Sequence, residues 1–167
     1  AWADQLDGSV SSRARRISAI KSLLSFGHRT GYLQFNVGQV IEAPRVPNTL
    51  AERILTEEEV HRILLVARDR DATLIRFLYG SGTRISEACA LRWEHVHVDA
   101  DGEAVVTIHG KGEKTRHILV SKGVTDALLA LRKHDSDVKS PVFATRSGRP
   151  LHPSNVVKSI RQAALQA

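Results

Sequence analysis

The chain has 167 residues, 42% hydrophobic and 25% charged, with a formal net charge of +6 and a pI of about 9.9. This allows one ordinary domain, or one domain with a smaller appended unit. No run of eighteen apolar residues and no basic-then-apolar leader is present, so neither a membrane span nor a signal peptide is expected, and the lone Cys89 excludes an internal disulfide.

Charge is uneven along the chain. Residues 104–167 carry eleven Lys/Arg against four Asp/Glu, residues 9–50 carry six against Glu42 alone, and residues 52–103 are net acidic. Two basic ends around an acidic middle fit two surfaces facing a polyanion. Ordinary solvation of helix faces gives the same counts, and composition alone leaves both readings open.

Ser9 or Ser11 caps a first helix expected to reach about Phe26. Val10, Ala14, Ile17, Ile20 and Leu24 recur at spacings of three and four and define an apolar stripe, leaving Arg13, Arg15, Arg16 and Lys21 as a basic outer face. Gly27 to Gly31 is read as a break, and Leu33 to Ile41 as a short second helix. In Ala43-Pro44-Arg45-Val46-Pro47-Asn48 two prolines disfavour both helix and strand, marking a linker. The segment before it is too short to bury a core alone. Residues 1–48 are therefore read as the tail of a helical domain with its linker, and 49–167 as a second domain.

Thr56-Glu57-Glu58-Glu59 has the form of a capping box and opens a helix to about Asp69, with Val60, Ile63, Leu64 and Ala67 on one face. Further helices are expected over Asp71–Tyr79 and Thr83–Leu91. Strand signals follow at Val96–Val98, Glu103–His109 and Thr115–Val120. A helix carrying Val124, Ala127, Leu128 and Leu131 comes next, and a last one starts near Pro153. The expected fold is α+β, mainly helical with a small three-stranded antiparallel sheet.

Two glycine-framed basic motifs stand out. In Gly80-Ser-Gly-Thr-Arg84-Ile-Ser-Glu87, the glycines let the chain turn sharply before a helix and let backbone N–H groups face an anion. An arginine there can grip two phosphate oxygens at once, and Glu87, one turn on, can orient the guanidinium or a neighbouring histidine. From this segment alone, an ordinary surface pair at i, i+3 fits as well. The second motif, Gly110-Lys111-Gly-Glu-Lys114-Thr-Arg116, puts three cations around a hairpin tip, where Lys111 can reach a groove and donate a proton. A solvated turn with lysines for solubility is the plainer alternative.

Taken in order, Leu55-Thr56-Glu57-Glu58-Glu59-Val60, Leu78-Tyr-Gly-Ser-Gly-Thr-Arg84-Ile-Ser-Glu87, Leu91-Arg-Trp93 and His109-Gly-Lys111-Gly-Glu-Lys-Thr-Arg116-His-Ile-Leu-Val120 resemble the first half of the catalytic domain of the tyrosine recombinase (phage integrase) family. The Ser11–Ala19 helix with Gly31-Tyr32-Leu33 resembles the end of that family's helical core-binding domain. The resemblance implies strand cleavage through a 3′-phosphotyrosine and transfer to a 5′-hydroxyl, with Arg84 as the first of two arginines on the scissile phosphate. Lys111 is then the hairpin lysine acting as general acid toward the 5′-oxygen, and Glu87 an acidic residue supporting the site. Arg13, Arg15, Arg16, Lys21, Lys114 and Arg116 are expected to contact DNA. The chemistry calls for no metal, nucleotide or other cofactor. The implied partner is double-stranded DNA, with self-association on DNA in the intact protein and with neither a membrane nor a small-molecule substrate. The implied setting is cytoplasmic, at the nucleoid.

The family pattern continues with a His-x-x-Arg box, a His or Trp, and a nucleophilic Tyr, and this sequence does not contain them. Lys158-Ser-Ile-Arg161 has the permitted spelling Lys-x-x-Arg, but it sits in a helix resembling the one before that box, and no tyrosine follows it. Tyr79 reads as a packing residue and Tyr32 as a turn residue. Cys89 lies among apolar residues at helical spacing, which marks an inert buried thiol. His95 and His97 have a strand-face spacing without a third ligand nearby, while His109 and His117 flank the hairpin and face phosphate or solvent. Two rivals keep much of this reading: a non-cleaving DNA-binding relative of the same fold, and a nicking enzyme resembling type IB topoisomerases.

Overall fold

The computed structural model describes residues 5–48, 54–110, 112, 114–133 and 137–167. The chain divides into two compact units, Ala1–Ile54 and Leu55–Ala167. No helix among the described residues is long and apolar enough to cross a membrane.

In the first unit, helix α1 spans Val10–Arg29, with the Ser9 side chain accepting from the Ser12 N–H at its start. It runs straight through Gly27 and ends at Thr30, whose N–H bonds back to the Phe26 carbonyl. A Cβ on Gly27 would lie 3.3 Å from Leu33 Cδ1, so this glycine admits the returning chain against the helix instead of breaking it. The expected helix over Leu33–Ile41 is only a 3₁₀ turn, Val37–Val40. It starts where the Asn36 side chain accepts from the Gly38 N–H, a local bond that competes with regular helix. Gly38 passes close over Leu24. Among the described residues of this unit only Ile17 and Gly38 are buried, whereas Leu23, Phe26, Tyr32, Phe35 and Val40 are exposed. The expected stripe is thus only partly covered. Residues 43–48 form neither helix nor strand.

The second unit opens with α2, Glu57–Val66. Thr56 Oγ1 accepts from the Glu59 N–H while Glu59 Oε2 accepts from the Thr56 N–H, a reciprocal capping box. Helix α3, Asp69–Ser81, extends two residues past the expected end and contains Gly80. Gly82 then adopts the left-handed conformation, φ 61° and ψ 19°, and ends the helix. Helix α4, Ile85–Cys89, follows, with Arg84 in its N-cap position.

Strands β1 (Val96–Val98), β2 (Ala104–His109) and β3 (Thr115–Val120) form an antiparallel sheet in that order. In the ladder Val106 pairs with Val96 on one side and Ile118 on the other. Strand alternation sends Ala104, Val106 and Ile108 inward on β2, and Arg116, Ile118 and Val120 inward on β3. Thr107 and His109 therefore share the outer face with His117 and Thr115, and the pairs Thr107–His117 and His109–Thr115 are hydrogen-bonded side chain to side chain.

Helix α5 (Lys122–Ala130) packs on α3, and α6 (Pro153–Gln166) packs on α2, α3 and α4. The core joins Leu74 and Phe77 of α3, Leu91, Trp93, the inner face of β2, Leu128, Phe143 and Val156. Phe77 and Phe143 meet with tilted rings, centroids 5.8 Å apart. Arg132 stacks over Trp93 at 5.3 Å, which seals one edge of that core.

Candidate functional site

The loop from Gly82 to Arg84 and the start of α4 set the site. The left-handed Gly82 reverses the chain after α3, and Thr83 is buried and hydrogen-bonded to Ser81 Oγ at 2.8 Å. Arg84 then emerges in an extended conformation, with its side chain 70% exposed. Of the two glycines in the motif only Gly82 turns the chain, since Gly80 belongs to α3. The Arg84 N–H donates to Glu87 Oε2 at 2.9 Å. That amide is therefore taken, and the cation that α4 offers outward is the guanidinium.

Glu87 is the hub. Its side chain is only 6% exposed, yet its carboxylate accepts four hydrogen bonds. Two come from Arg84, through its backbone N–H and through Nη1 at 2.9 Å. Two come from Arg116, through Nη1 at 3.1 Å and Nη2 at 2.7 Å. These donors, the Arg116 guanidinium first and the Arg84 N–H next, hold the Glu87 carboxyl well below the ordinary carboxylate range, at about 2, against a smaller opposing effect of burial. The same pairing raises the Arg116 guanidinium further above its ordinary range.

Arg116 reaches Glu87 because β3 points it inward, opposite Ile108 in the ladder. The sequence assigns it a contact with DNA; in the fold its guanidinium lies bidentate on Glu87. The parity it shares with Ile118 and Val120 was the available signal. Gly110, at the end of β2, leaves room for the pair: a Cβ there would lie 3.3 Å from Glu87 Oε1 and 3.4 Å from Arg116 Nη1. The Gly110 N–H donates to the Lys114 carbonyl at 2.8 Å, and Gly112 is left-handed at φ 75°, a backbone suited to a tight reversal. Lys114 is exposed at this turn. Lys111 and Glu113 lie outside the described residues.

The other expected DNA contacts belong to the first unit and differ in their freedom. Arg15 is exposed, and Arg16 is exposed with Nη1 donating to the Asp7 carbonyl at 2.8 Å. Arg13 is half-buried. Lys21 turns back onto the chain, its amine donating to the Ile41 carbonyl at 2.6 Å.

Cys89 is buried, and that burial pushes its thiol up. Tyr79 is on α3 and 57% exposed, more open than a packing residue is expected to be. Tyr32 is 90% exposed. His95 lies in a 3₁₀ turn, Trp93–His95, and not on a strand face with His97. Its ring meets His109 edge-on at 5.0 Å. Burial and the His109 ring push the His95 imidazole below its ordinary value. Among the described residues no three His, Cys, Asp or Glu side chains are grouped to hold a metal ion. Lys158 and Arg161 lie on the solvent side of α6, whose buried residues are Val156 and Ala163.

The model of the phage integrase family matches residues 53–167, which include α3, α4 and the β2–β3 hairpin. The chain belongs to the phage integrase family, the tyrosine recombinases. Over 164 residues it is 31% identical to the tyrosine recombinase XerC of Xanthomonas campestris pv. campestris, covering 95% of this chain and 50% of that protein. Over 130 residues it is 35% identical to the Myxococcus xanthus XerC, covering 74% and 42%. The chain thus spans about half the length of the curated relatives it matches. Among solved structures it is similar to a lambda integrase tetramer bound to a Holliday junction, with TM-score 0.72 and 15% identity over 95% of this chain and 48% of that one. It is also similar to the XerH recombinase bound to its difH substrate, with TM-score 0.65 and 18% identity over 99% and 51%. At these identities the structural likeness speaks for an integrase-family fold.

Proposed function

We propose that this chain is the DNA-binding, phosphate-clamping part of a site-specific tyrosine recombinase. In this reading residues 1–48 are the end of the core-binding domain with its linker, and residues 49–167 the first half of the catalytic domain. The observation that supports it is the Arg84 side chain, largely in solvent yet held through its backbone N–H and one terminal nitrogen, Nη1, by a buried carboxylate. Arg84 stabilises charge gathering on the non-bridging oxygens of the scissile phosphate, which a preorganised cation does best. Lys111 donates a proton to the departing 5′-oxygen, the task of a positioned general acid. The nucleophile is not among the roles assigned to this chain.

The partner is duplex DNA, met by the basic residues of both units, and the intact protein assembles on it in several copies. The solved relatives support this, since they include a lambda integrase dimer on a core site and a tetramer on a Holliday junction. The test is a binding titration on duplex DNA across a salt series. A chain that neutralises ~5 phosphates gives a log–log slope near −4 to −5 through counterion release. Binding that ignores salt, or no binding, overturns the reading.

A further inference from the structure

We infer that Arg116 is the positioning residue of this site: by occupying Glu87 from the β3 side it keeps Arg84 from being consumed by the same carboxylate. The inference rests on the reading of Arg84 as the phosphate cation and goes beyond it, because it assigns the role to a residue that need not touch DNA.

Three observations support it. The first is geometric: Arg116 takes both oxygens of Glu87, at 3.1 and 2.7 Å, whereas Arg84 spends one side-chain nitrogen, at 2.9 Å. A guanidinium has five N–H donors, so most of Arg84 stays available. The second is electrostatic. Two guanidinium groups share one carboxylate, leaving one net positive charge on the cluster, and the member most open to an anion is Arg84, with its side chain 70% exposed against 39% for Arg116. Without Arg116, Glu87 and Arg84 would form a closed, neutral bidentate pair, and an incoming phosphate would have to break it. The third is topological. Arg116 stands on the inward parity of β3 with Ile118 and Val120, and Gly110 leaves the space in which the pair forms. The bond ties α4 to the start of β3, so Arg84 and that strand are referred to one shared carboxylate.

The experiment is a double-mutant cycle on the 167-residue chain, read by inorganic phosphate titration of the Arg84 and Arg116 side-chain Nε–Hε resonances. Duplex DNA titration and thermal unfolding run alongside. Arg116→Gln weakens phosphate at Arg84 by roughly three- to tenfold, because the phosphate must then compete with the freed Glu87 carboxylate for the same guanidinium, a partly exposed ion pair of about 1 kcal/mol. In the Glu87→Gln background the same change costs less than about twofold, since coupling through a removed partner vanishes. Arg116 itself stays silent as phosphate is added to the wild type. Should Arg116→Gln not fold, Arg116→Lys, which keeps the charge but gives up the two-pronged grip on Glu87, takes its place in both backgrounds and weakens phosphate in the same direction. An equal loss in both backgrounds, an Arg116 resonance that follows phosphate, or an Arg84 resonance that never responds each overturns the inference. Phosphate behaviour as predicted without duplex binding refutes the DNA reading and leaves the role of Arg116 standing.

Discussion

Replacing Glu87 by Gln keeps the shape of the hub and removes its charge. One amide oxygen remains to accept, but the new NH2 group faces guanidinium and backbone N–H donors, so part of the network becomes donor against donor. The wild-type carboxyl is held from an ordinary 4.5 down to about 2, which corresponds to at most about 3 kcal/mol of stabilisation of the charged form. Arg84 and Arg116 both touch solvent, and screening reduces this to roughly 1–2 kcal/mol. The group is depressed, so its contribution is fully present above the unfolded-state value near 4.5 and is lost as pH falls through about 2. Urea unfolding of wild type and Glu87→Gln at several pH values between 7 and 2 measures it. The midpoint gap is full at neutral pH, narrows below about 4.5 and closes as Glu87 protonates, with unchanged denaturant slope. A gap that is absent at pH 7, or that does not change with pH, would refute the account of Glu87 as an ion-paired hub.

The other expectations are narrower. Gly82→Ala destabilises the second unit by about 1 kcal/mol in thermal or urea unfolding, from the backbone alone, because its φ is 61° and an added Cβ meets nothing within 4 Å. Cys89, buried with a raised thiol, stays unmodified by a thiol reagent under native conditions and reacts when urea unfolds the chain; rapid native labelling would contradict the packing described. In the intact recombinase, Lys111→Ala slows cleavage by roughly 10²–10⁴, the usual share of a positioned acid. A 5′-thio leaving group, which needs no strong acid, restores that variant, and failure of the rescue makes Lys111 a binding residue.

Much of the fold was legible because local and tertiary preferences agree. The alternation of β3 and its flanking turn gave Thr115–Val120, and the Thr56–Glu59 capping box marked the start of α2. Two expectations that the structure changes turn on a glycine with more than one use. Gly27 suggests a break, yet one glycine inside a helix costs only about 1 kcal/mol, and here it makes room for Leu33. Gly80 suggests a shared turn with Gly82, but Gly82 takes the left-handed conformation that ends α3 and Gly80 stays inside the helix. At the site, Arg84 and Glu87 could be paired from their spacing, since three residues apart on a helix are neighbours. Arg116 could not be joined to them, because its partner lies 29 residues away and the contact exists only once the hairpin packs beside α4. The period-two pattern did carry half of that information, placing Arg116 on the inner face with Ile118 and Val120.

The proposed function requires the Arg84 guanidinium to meet the DNA backbone as a cation while the fold draws only one side-chain bond from it. The direct measurement is the salt dependence of duplex binding for wild type and Arg84→Ala, with thermal unfolding of both. Arg84→Ala should reduce the log–log slope by about 0.9, one phosphate's share, and unfold within a few degrees of wild type, since most of the side chain is in solvent. An unchanged slope, or an Arg84→Ala variant that unfolds while the remaining cations still bind as before, would place the phosphate contact elsewhere and reduce Arg84 and Glu87 to an ordinary helix pair.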